Sequence, residues 1–407
     1  MTGSKSDTRA FAGIIVLDVS RILASPFTTS QLGFLGADVI KIEDPGTGDA
    51  ARFGHSYDKT MSKSGMSSNF LSQNSNKRSL TLNLRTPEGQ DIFKRLARKA
   101  DVVVQNLRTG TMDKYGLGYE HLSALNPRII FCSVTAYGNT GPKKRHPAYD
   151  PVVQAASGMM SINGTPETAP VKVGPPVVDY GTGLAASFAI ATALFQRERT
   201  GKGQHIDVSM LDTAFVMMGS VVTDVMTAGA KPKAHGNTYA SVPTNAGFPT
   251  RDGMLYIAAM QEHQAKNLFL GLGRPDLAND PHYATHELRG ENGAALRKEL
   301  EQALLAKTAT EWEAILNEAG VPAMRVRTIP EAVAEPYLES RKLFRKFDHV
   351  DGITGGATVP LTPFKLSASE ARADTPPPML GAHTDEILGS LGYSSSAVEQ
   401  LRARHVV

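Results

Sequence analysis

A lone acid, Asp179, closes the apolar run Pro175-Pro-Val-Val178 and opens a Gly- and Ala-rich stretch that carries no further charge as far as Gln196. Such a stretch reads as a buried helix with the acid where the helix begins. Two uses fit that place. The carboxylate can cap the helix by accepting from its first N–H groups. It can also stand at the edge of a site as a nucleophile. Spacing alone favours the cap and leaves both open. A second candidate set is Asn106 and Arg108. They follow the apolar run Asp101-Val-Val-Val-Gln105, and open α/β sheets bind ligands beyond the carboxyl ends of their strands.

Several other chemistries are excluded by pattern. Gly201-Lys-Gly lacks the spacing of a phosphate loop, and no G-x-G-x-x-G follows the first strand, which argues against a dinucleotide fold. His146, His205, His235, His263 and His383 are scattered and form no metal pattern with Cys. No nucleophile elbow of the G-x-S-x-G type is present.

The chain has 407 residues, 41% hydrophobic and 20% charged, with a formal charge of +3. That length suggests two domains with sizeable cores. Lys and Arg are dispersed, so nucleic-acid binding has no support. The single Cys, Cys132, lies in an apolar strand-like run and fits a reducing compartment. The polar N-terminal stretch Met1–Ala10 has no signal-peptide core, and the quiet run Gly181–Phe195 is short and Gly/Ala-rich for a membrane span. A cytoplasmic protein without a membrane partner is expected.

The elements that must position these residues follow from periodicity. Gly13–Val19 and Ala37–Glu43 are buried strands around a helical run, a β-α-β unit that predicts a parallel α/β sheet. Asp49–Gln73 reads as a surface loop. Asn76–Leu84 alternates as a strand, and Thr86-Pro87 caps and starts a helix. Ile129–Val134 and His205–Val208 are further strands, and one helix is predicted over Leu211–Ala228. The composition then changes. Helices over Gln264–Leu272, Ala294–Ala306 and Thr310–Glu318, the last capped by Thr310, mark a smaller domain. Short strands at Phe347–Val350 and Ala357–Pro360 and a last helix from Gly381 complete the chain. The divisions are 1–225, the N-terminal part of a large domain; 230–330, a small domain; and 331–407, a return to the large one.

Taken in order, the motifs Val16-Leu-Asp-Val-Ser-Arg-Ile-Leu-Ala-Ser-Pro26, Leu35-Gly-Ala-Asp-Val-Ile-Lys-Ile-Glu43, Pro45-Gly-Thr-Gly-Asp49, Asn76-Lys-Arg-Ser79, Tyr115-Gly-Leu-Gly-Tyr119, Gly138-Asn-Thr-Gly-Pro142, Asp179, Thr200-Gly-Lys-Gly-Gln204 and Pro377-Pro-Met-Leu-Gly-Ala-His-Thr-Asp-Glu386 resemble the class III CoA-transferase (CaiB/BaiF) family. The resemblance runs along nearly the whole chain. It implies a large domain with a Rossmann-like parallel sheet, a smaller α+β domain and an interlocked homodimer. It implies that CoA moves from an acyl-CoA donor to a carboxylic acid acceptor, with coenzyme A as substrate and no permanently bound cofactor or metal. The family's aspartate nucleophile falls on Asp179. Its CoA-lining positions fall on Leu82 to Arg85, on Asn106, Leu107 and Arg108, on Lys114, and on Pro147, Ala148, Tyr149 and Asp150. Arg85, Arg108 and Lys114 suit the CoA phosphates. Backbone N–H groups beside Asp179 are expected to stabilise oxyanions. Gly181 and Gly183 either let backbone approach a ligand or serve tight helix packing.

Two departures stand out. Family members carry a Gly-rich loop over the site, whereas the matching place here, Ala258-Ala-Met-Gln-Glu-His263, has no glycine. Gln261, Glu262 and His263 either contact the acceptor or form a plain strand-to-helix loop. Related α-methylacyl-CoA racemases pair the aspartate with a His where this chain has Tyr149. A tyrosine, with a free pKa of about 10, suits proton abstraction poorly, so transfer is favoured over racemisation. An inactive acyl-CoA-binding protein is the third reading. Arg52, Lys143, Lys144, Arg145 and His146 are the candidates for holding a second carboxylate of a dicarboxylate acceptor.

Overall fold

The structure is a computed structural model that describes residues 7–54, 56, 58–239 and 241–407. The first six residues of the polar N-terminal stretch thus lie outside the described residues. The apolar, β-branched runs pair as one parallel sheet: β1 (Ile15–Val19), β2 (Asp38–Glu43), β3 (Lys77–Thr81), β4 (Val102–Gln105), β5 (Ile130–Thr135) and β6 (His205–Ser209), in the order β3-β2-β1-β4-β5-β6. Val16 of β1 lies between Val39 of β2 and Val102 of β4. Alternate side chains feed two cores. Val16, Val39, Val102 and Ile130 pack with the helices Ala24–Phe34 and Val177–Thr200. Leu17, Ile40, Leu80 and Val103 pack with the helix Pro87–Ala97 and with Ile387, Leu388, Val398 and Leu401 near the C-terminus. Both faces are covered, as a parallel sheet requires. This is the doubly wound order of dinucleotide folds without their glycine fingerprint, so the missing motif spoke to the ligand and not to the architecture. Cys132 is buried in β5, and burial pushes its thiol up to about 12.

The chain divides into two compact units. The first comprises Met1–Met159, Val173–Ala228 and Tyr337–Val407; the second comprises Met160–Lys172 and Gly229–Pro336. In the first, the C-terminal return is stitched to the sheet: Asn83 N–H donates to the Val406 carbonyl (2.8 Å), and Asn76 Oδ1 accepts from the N–H groups of Asp374 and Thr375. In the second, β7 (Asn245–Pro249), β8 (Met254–Ala258) and β9 (Ala323–Arg325) form an antiparallel sheet. Phe248 and Ile257 of that sheet share a core with Leu268, Leu277, Leu300 and Trp312, each from a different helix. A two-stranded sheet, β10 (Phe344–Phe347) and β11 (Ala357–Pro360), belongs to the first unit.

Some expectations need correcting. Asp49–Gln73 is not a plain surface loop: it folds into short helices, and Met66, Phe70 and Leu71 are buried against Phe347, Val350 and Val359. The helix expected over Leu211–Ala228 breaks at Met218, before Gly219, into two segments bent by 81°. Thr308, not Thr310, caps the helix Ala309–Glu318, because Thr308 stands three residues before Glu311 and the two make a reciprocal capping box. The first of the late strands is Phe344–Phe347, three residues earlier than expected. The final helix is two, Thr384–Ser390 and Ser395–Ala403.

Candidate active site

The helix Val177–Thr200 lies between β5 and β6 in the chain, and those strands are parallel neighbours. A crossover helix must run against its strands, so its first turn faces the carboxyl edge of the sheet. Its 24 residues span roughly 36 Å against about 20 Å for a six-residue strand, so the first turn overshoots that edge. By length and apolarity alone the helix is long enough to cross a membrane. Here Ala186, Ile190 and Leu194 pack on the sheet, and buried Arg197 pairs with Asp101 at 2.9 Å. Gly183 has the packing role: a Cβ there would fall 2.7 Å from the Ala24 carbonyl oxygen.

Asp179 stands in the first turn, but Pro176 holds the cap position and the Asp179 carboxylate is not the cap. A second acid does that work. Asp150 Oδ2 accepts from the N–H groups of Val178 (2.7 Å) and Asp179 (3.1 Å). Its Oδ1 accepts from Gln154 Nε2 (2.6 Å), and Gln154 Oε1 accepts from Val173 N–H. Asp150 and Gln154 are both buried. The capping is thus delegated, which leaves the Asp179 carboxylate uncommitted. No ion pair or side-chain hydrogen bond of Asp179 is found among the described residues. Burial, and secondly the charge of Asp150, push its carboxyl up to about 7. The helix N-terminus favours the anion, but these two causes outweigh it.

The same geometry corrects one expectation. The remaining N–H groups of the first turn are taken as well: Val177 donates to the Pro175 carbonyl and Tyr180 to that of Pro176. The first turn of the helix therefore has no spare N–H donor for an oxyanion.

At the carboxyl ends of β1 to β4 lies a cleft of about 220 Å³, where the strand order reverses. Arg21, Asp44, Leu82, Arg85, Leu107 and Arg108 line it. It gathers six of the residues assigned from the sequence: Leu82, Asn83, Leu84, Arg85, Leu107 and Arg108. Asn106 is turned to the backbone: its amide accepts from Arg21 N–H (2.9 Å) and donates to the Arg21 carbonyl (2.7 Å). Lys114 ends the one-turn helix Thr111–Lys114 and is exposed, outside the cleft lining. Pro147, Ala148 and exposed Tyr149 lead into the helix Asp150–Ser157. Lys144 and Arg145 line a second depression of about 380 Å³ that shares Arg108.

Arg52 is not a candidate for the acceptor. It is buried and held bidentately by Glu43, at 2.8 and 2.7 Å. It belongs to a lattice of buried charges that includes Lys77–Asp18 and Lys41–Asp49, both 2.9 Å. Sequence reasoning missed this lattice. The signal was present: Lys41 and Glu43 sit in a strand buried on both faces, where a charge needs a partner. Gln261 and Glu262, in the second unit, also have structural partners. The Gln261 N–H donates to Gln264 Oε1 (3.0 Å), and Glu262 pairs with Arg289 at 2.7 Å. Among the described residues no cluster of His, Cys, Asp and Glu could hold a metal.

The profile of CoA-transferase family III matches residues 11–384. Succinyl-CoA:glutarate CoA-transferase of Mus musculus is 36% identical over 97% of this chain and 89% of its own length. Acetyl-CoA:oxalate CoA-transferase of Acetobacter aceti is 36% identical over 90% of this chain and 91% of its own. Among solved structures, a CaiB/BaiF family protein from Brucella suis superposes with a TM-score of 0.83 at 34% identity, over 95% of this chain and 100% of its own. These likenesses span the sheet, the cleft and the helix that carries Asp179, and the chain belongs to the family III (CaiB/BaiF) CoA-transferases.

Proposed function

We propose that the protein moves CoA from a dicarboxylyl-CoA thioester to a second dicarboxylate, through covalent intermediates on Asp179. The observation that carries this reading is the uncommitted Asp179 carboxylate, desolvated and beside a capping acid. A carboxylate of raised pKa is the stronger nucleophile once ionised, and its anhydride keeps the energy of the thioester. The Asp179 anion attacks the donor carbonyl and expels CoA thiolate, leaving a mixed anhydride. The thiolate attacks the aspartyl carbonyl, which releases the donor acid and leaves an aspartyl-CoA thioester. The acceptor carboxylate attacks that thioester and again frees the thiolate. The thiolate then takes the acceptor carbonyl and restores Asp179. No water enters, and its exclusion keeps the intermediates from hydrolysis.

The dicarboxylate class is supported by relatives whose names specify succinyl-CoA with glutarate or D-citramalate. In this chain Lys143, Lys144, Arg145 and His146 are exposed and open to a second carboxylate, Lys144 and Arg145 in the depression beside Arg108, whereas Arg52 is occupied. The test is transfer from succinyl-CoA to a panel of acids. The reading expects dicarboxylates of two to five carbons to outrun monocarboxylates of equal length. Equal rates across the two classes would contradict it.

The reading includes a homodimer. Phe188 and Phe195 on the long helix, and Val216 and Met226 on the bent pair, are 67–81% exposed, more than isolated surface apolar residues require. Sedimentation equilibrium is expected to give twice the chain mass, and a monomer at micromolar concentration would contradict this part.

A further inference from the structure

The helix Ser395–Ala403 is followed by a turn that sends the chain back along it. His405 N–H donates to the Arg402 carbonyl and Val406 N–H to the Leu401 carbonyl, both at 2.9 Å. This paired closure of a helix end needs a left-handed residue just past the cap. Glycine usually fills that place; here His405 does, with φ 54°. A side chain held in that region persists only where its surroundings support it. Val406 and Val407 supply the support, because both are buried in the same core as Leu82, Leu84 and Leu401.

The turn delivers two carbonyls to one residue. Asn83 N–H donates to the Val406 carbonyl (2.8 Å), and Asn83 Nδ2 donates to that of His405 (3.3 Å). The other polar atoms of Asn83 hold the segment that follows. Its Oδ1 accepts from Arg85 N–H (3.1 Å), and its carbonyl accepts from Thr86 N–H (3.1 Å) and Thr86 Oγ1 (2.9 Å). Gly89 makes room for this arrangement, since a Cβ there would fall 2.1 Å from the Asn83 carbonyl oxygen. Asn83 thus lines the cleft with each of its polar atoms already bonded within the chain. It joins the tail to the segment that carries Leu82, Leu84 and Arg85. A second tie, Arg404 to Glu88 at 2.8 Å, is exposed and adds little.

We propose that the tail Arg404 to Val407 is a working part of acyl-CoA binding: acting through Asn83, it sets the wall of the cleft that presents Arg85. Asn83 is then a positioning residue and not a contact to CoA. The proposal rests on the CoA-transfer reading and on the assignment of Leu82 to Arg85 to CoA. It adds an element 322 residues away in the chain.

The test is steady-state transfer to glutarate from two donors, succinyl-CoA and succinyl-pantetheine, which lacks the nucleotide. A chain that ends at His405, and separately Asn83→Ala, should each raise KM for succinyl-CoA about five- to tenfold, the scale of one or two lost hydrogen bonds. The kcat at saturation should stay within about twofold, and KM for succinyl-pantetheine should not move. Combined, the two changes should raise KM no further than either alone, because both cut the same tie. Val406→Leu keeps the carbonyl and the apolar contact, so it should behave as wild type. If the shortened chain does not fold, Asn83→Ala carries the test, since it leaves the buried tail residues in place. Unchanged KM for succinyl-CoA in Asn83→Ala, an equal rise for the two donors, or additive effects in the combined variant would overturn the proposal while the wild type still transfers CoA. A wild type that transfers no CoA would overturn the transfer reading, and the role of the tail with it.

Discussion

Asp18, fully buried, and Asp179, half-buried, are acids of the same unit, and they are driven in opposite directions. Burial raises the Asp18 carboxyl, but Lys77 and Lys41 outweigh it and hold the group down to about 2. Burial also raises Asp179, and the nearest charge, Asp150, adds to the effect and takes it to about 7. The lesson is that the partner, not the depth, decides the state of a buried acid. The Asp18 lattice uses charge to fix loops: Glu43 and Asp49 are held low by cations in the same way, against burial. The head of the long helix sets no cation beside Asp179 among the described residues, and its carboxyl stays raised.

This contrast can be broken in several ways. The largest effect is expected on activity. Asp179→Asn keeps the shape and removes the proposed nucleophile, so kcat for CoA transfer should fall by about 10³ or more. A residual rate within tenfold of wild type would remove Asp179 from the chemistry.

The second effect is on stability. Lys77→Met leaves Asp18 buried without its nearest cation, which should cost about 3–5 kcal/mol in urea unfolding. A loss below about 1 kcal/mol would mean that Lys41 alone compensates Asp18.

The two acids should also give opposite pH slopes. Asp179 binds a proton in the folded protein that the unfolded chain has lost, so its contribution falls as pH rises from about 4 to about 7 and then levels off. Asp18 contributes fully above about 4, and its contribution is lost as pH falls towards about 2. Asp179→Asn should therefore be more stable than wild type at pH 8, by about 1–3 kcal/mol, and equal to it near pH 4. A constant difference across that range would contradict the raised carboxyl.

A smaller effect concerns Asp150. Transfer needs ionised Asp179, so kcat/KM should rise with pH through about 7. Asp150→Asn removes the like charge but not the burial, so that limb should move down by less than about one unit. A limb that moves up would assign the effect of Asp150 to capping alone.

How much of this was legible beforehand differs between the same two regions. The order of strands and helices followed from periodicity, and Asp179 was marked by its isolation in an uncharged run. Spacing alone left its role open, because a cap and a nucleophile look alike in one dimension, and the nucleophile reading came from the family resemblance. What excludes the cap is Asp150, 29 residues away, one of whose oxygens takes the helix N–H groups. Arg52 was misread because its loop is polar and Gly-rich, while its partner Glu43 sits in β2. The buried charges of β2 could have been found, because a strand covered on both faces tolerates a charge only with a partner.

The central claim is that Asp179 carries the transferred group. Its most direct test is mass spectrometry of the protein after brief incubation with succinyl-CoA, quenched with hydroxylamine to trap acyl intermediates. The account predicts a hydroxamate on the peptide that contains Asp179, absent without the thioester and absent in Asp179→Asn. Transfer that proceeds with that peptide unmodified, or with the label on another residue, would contradict it.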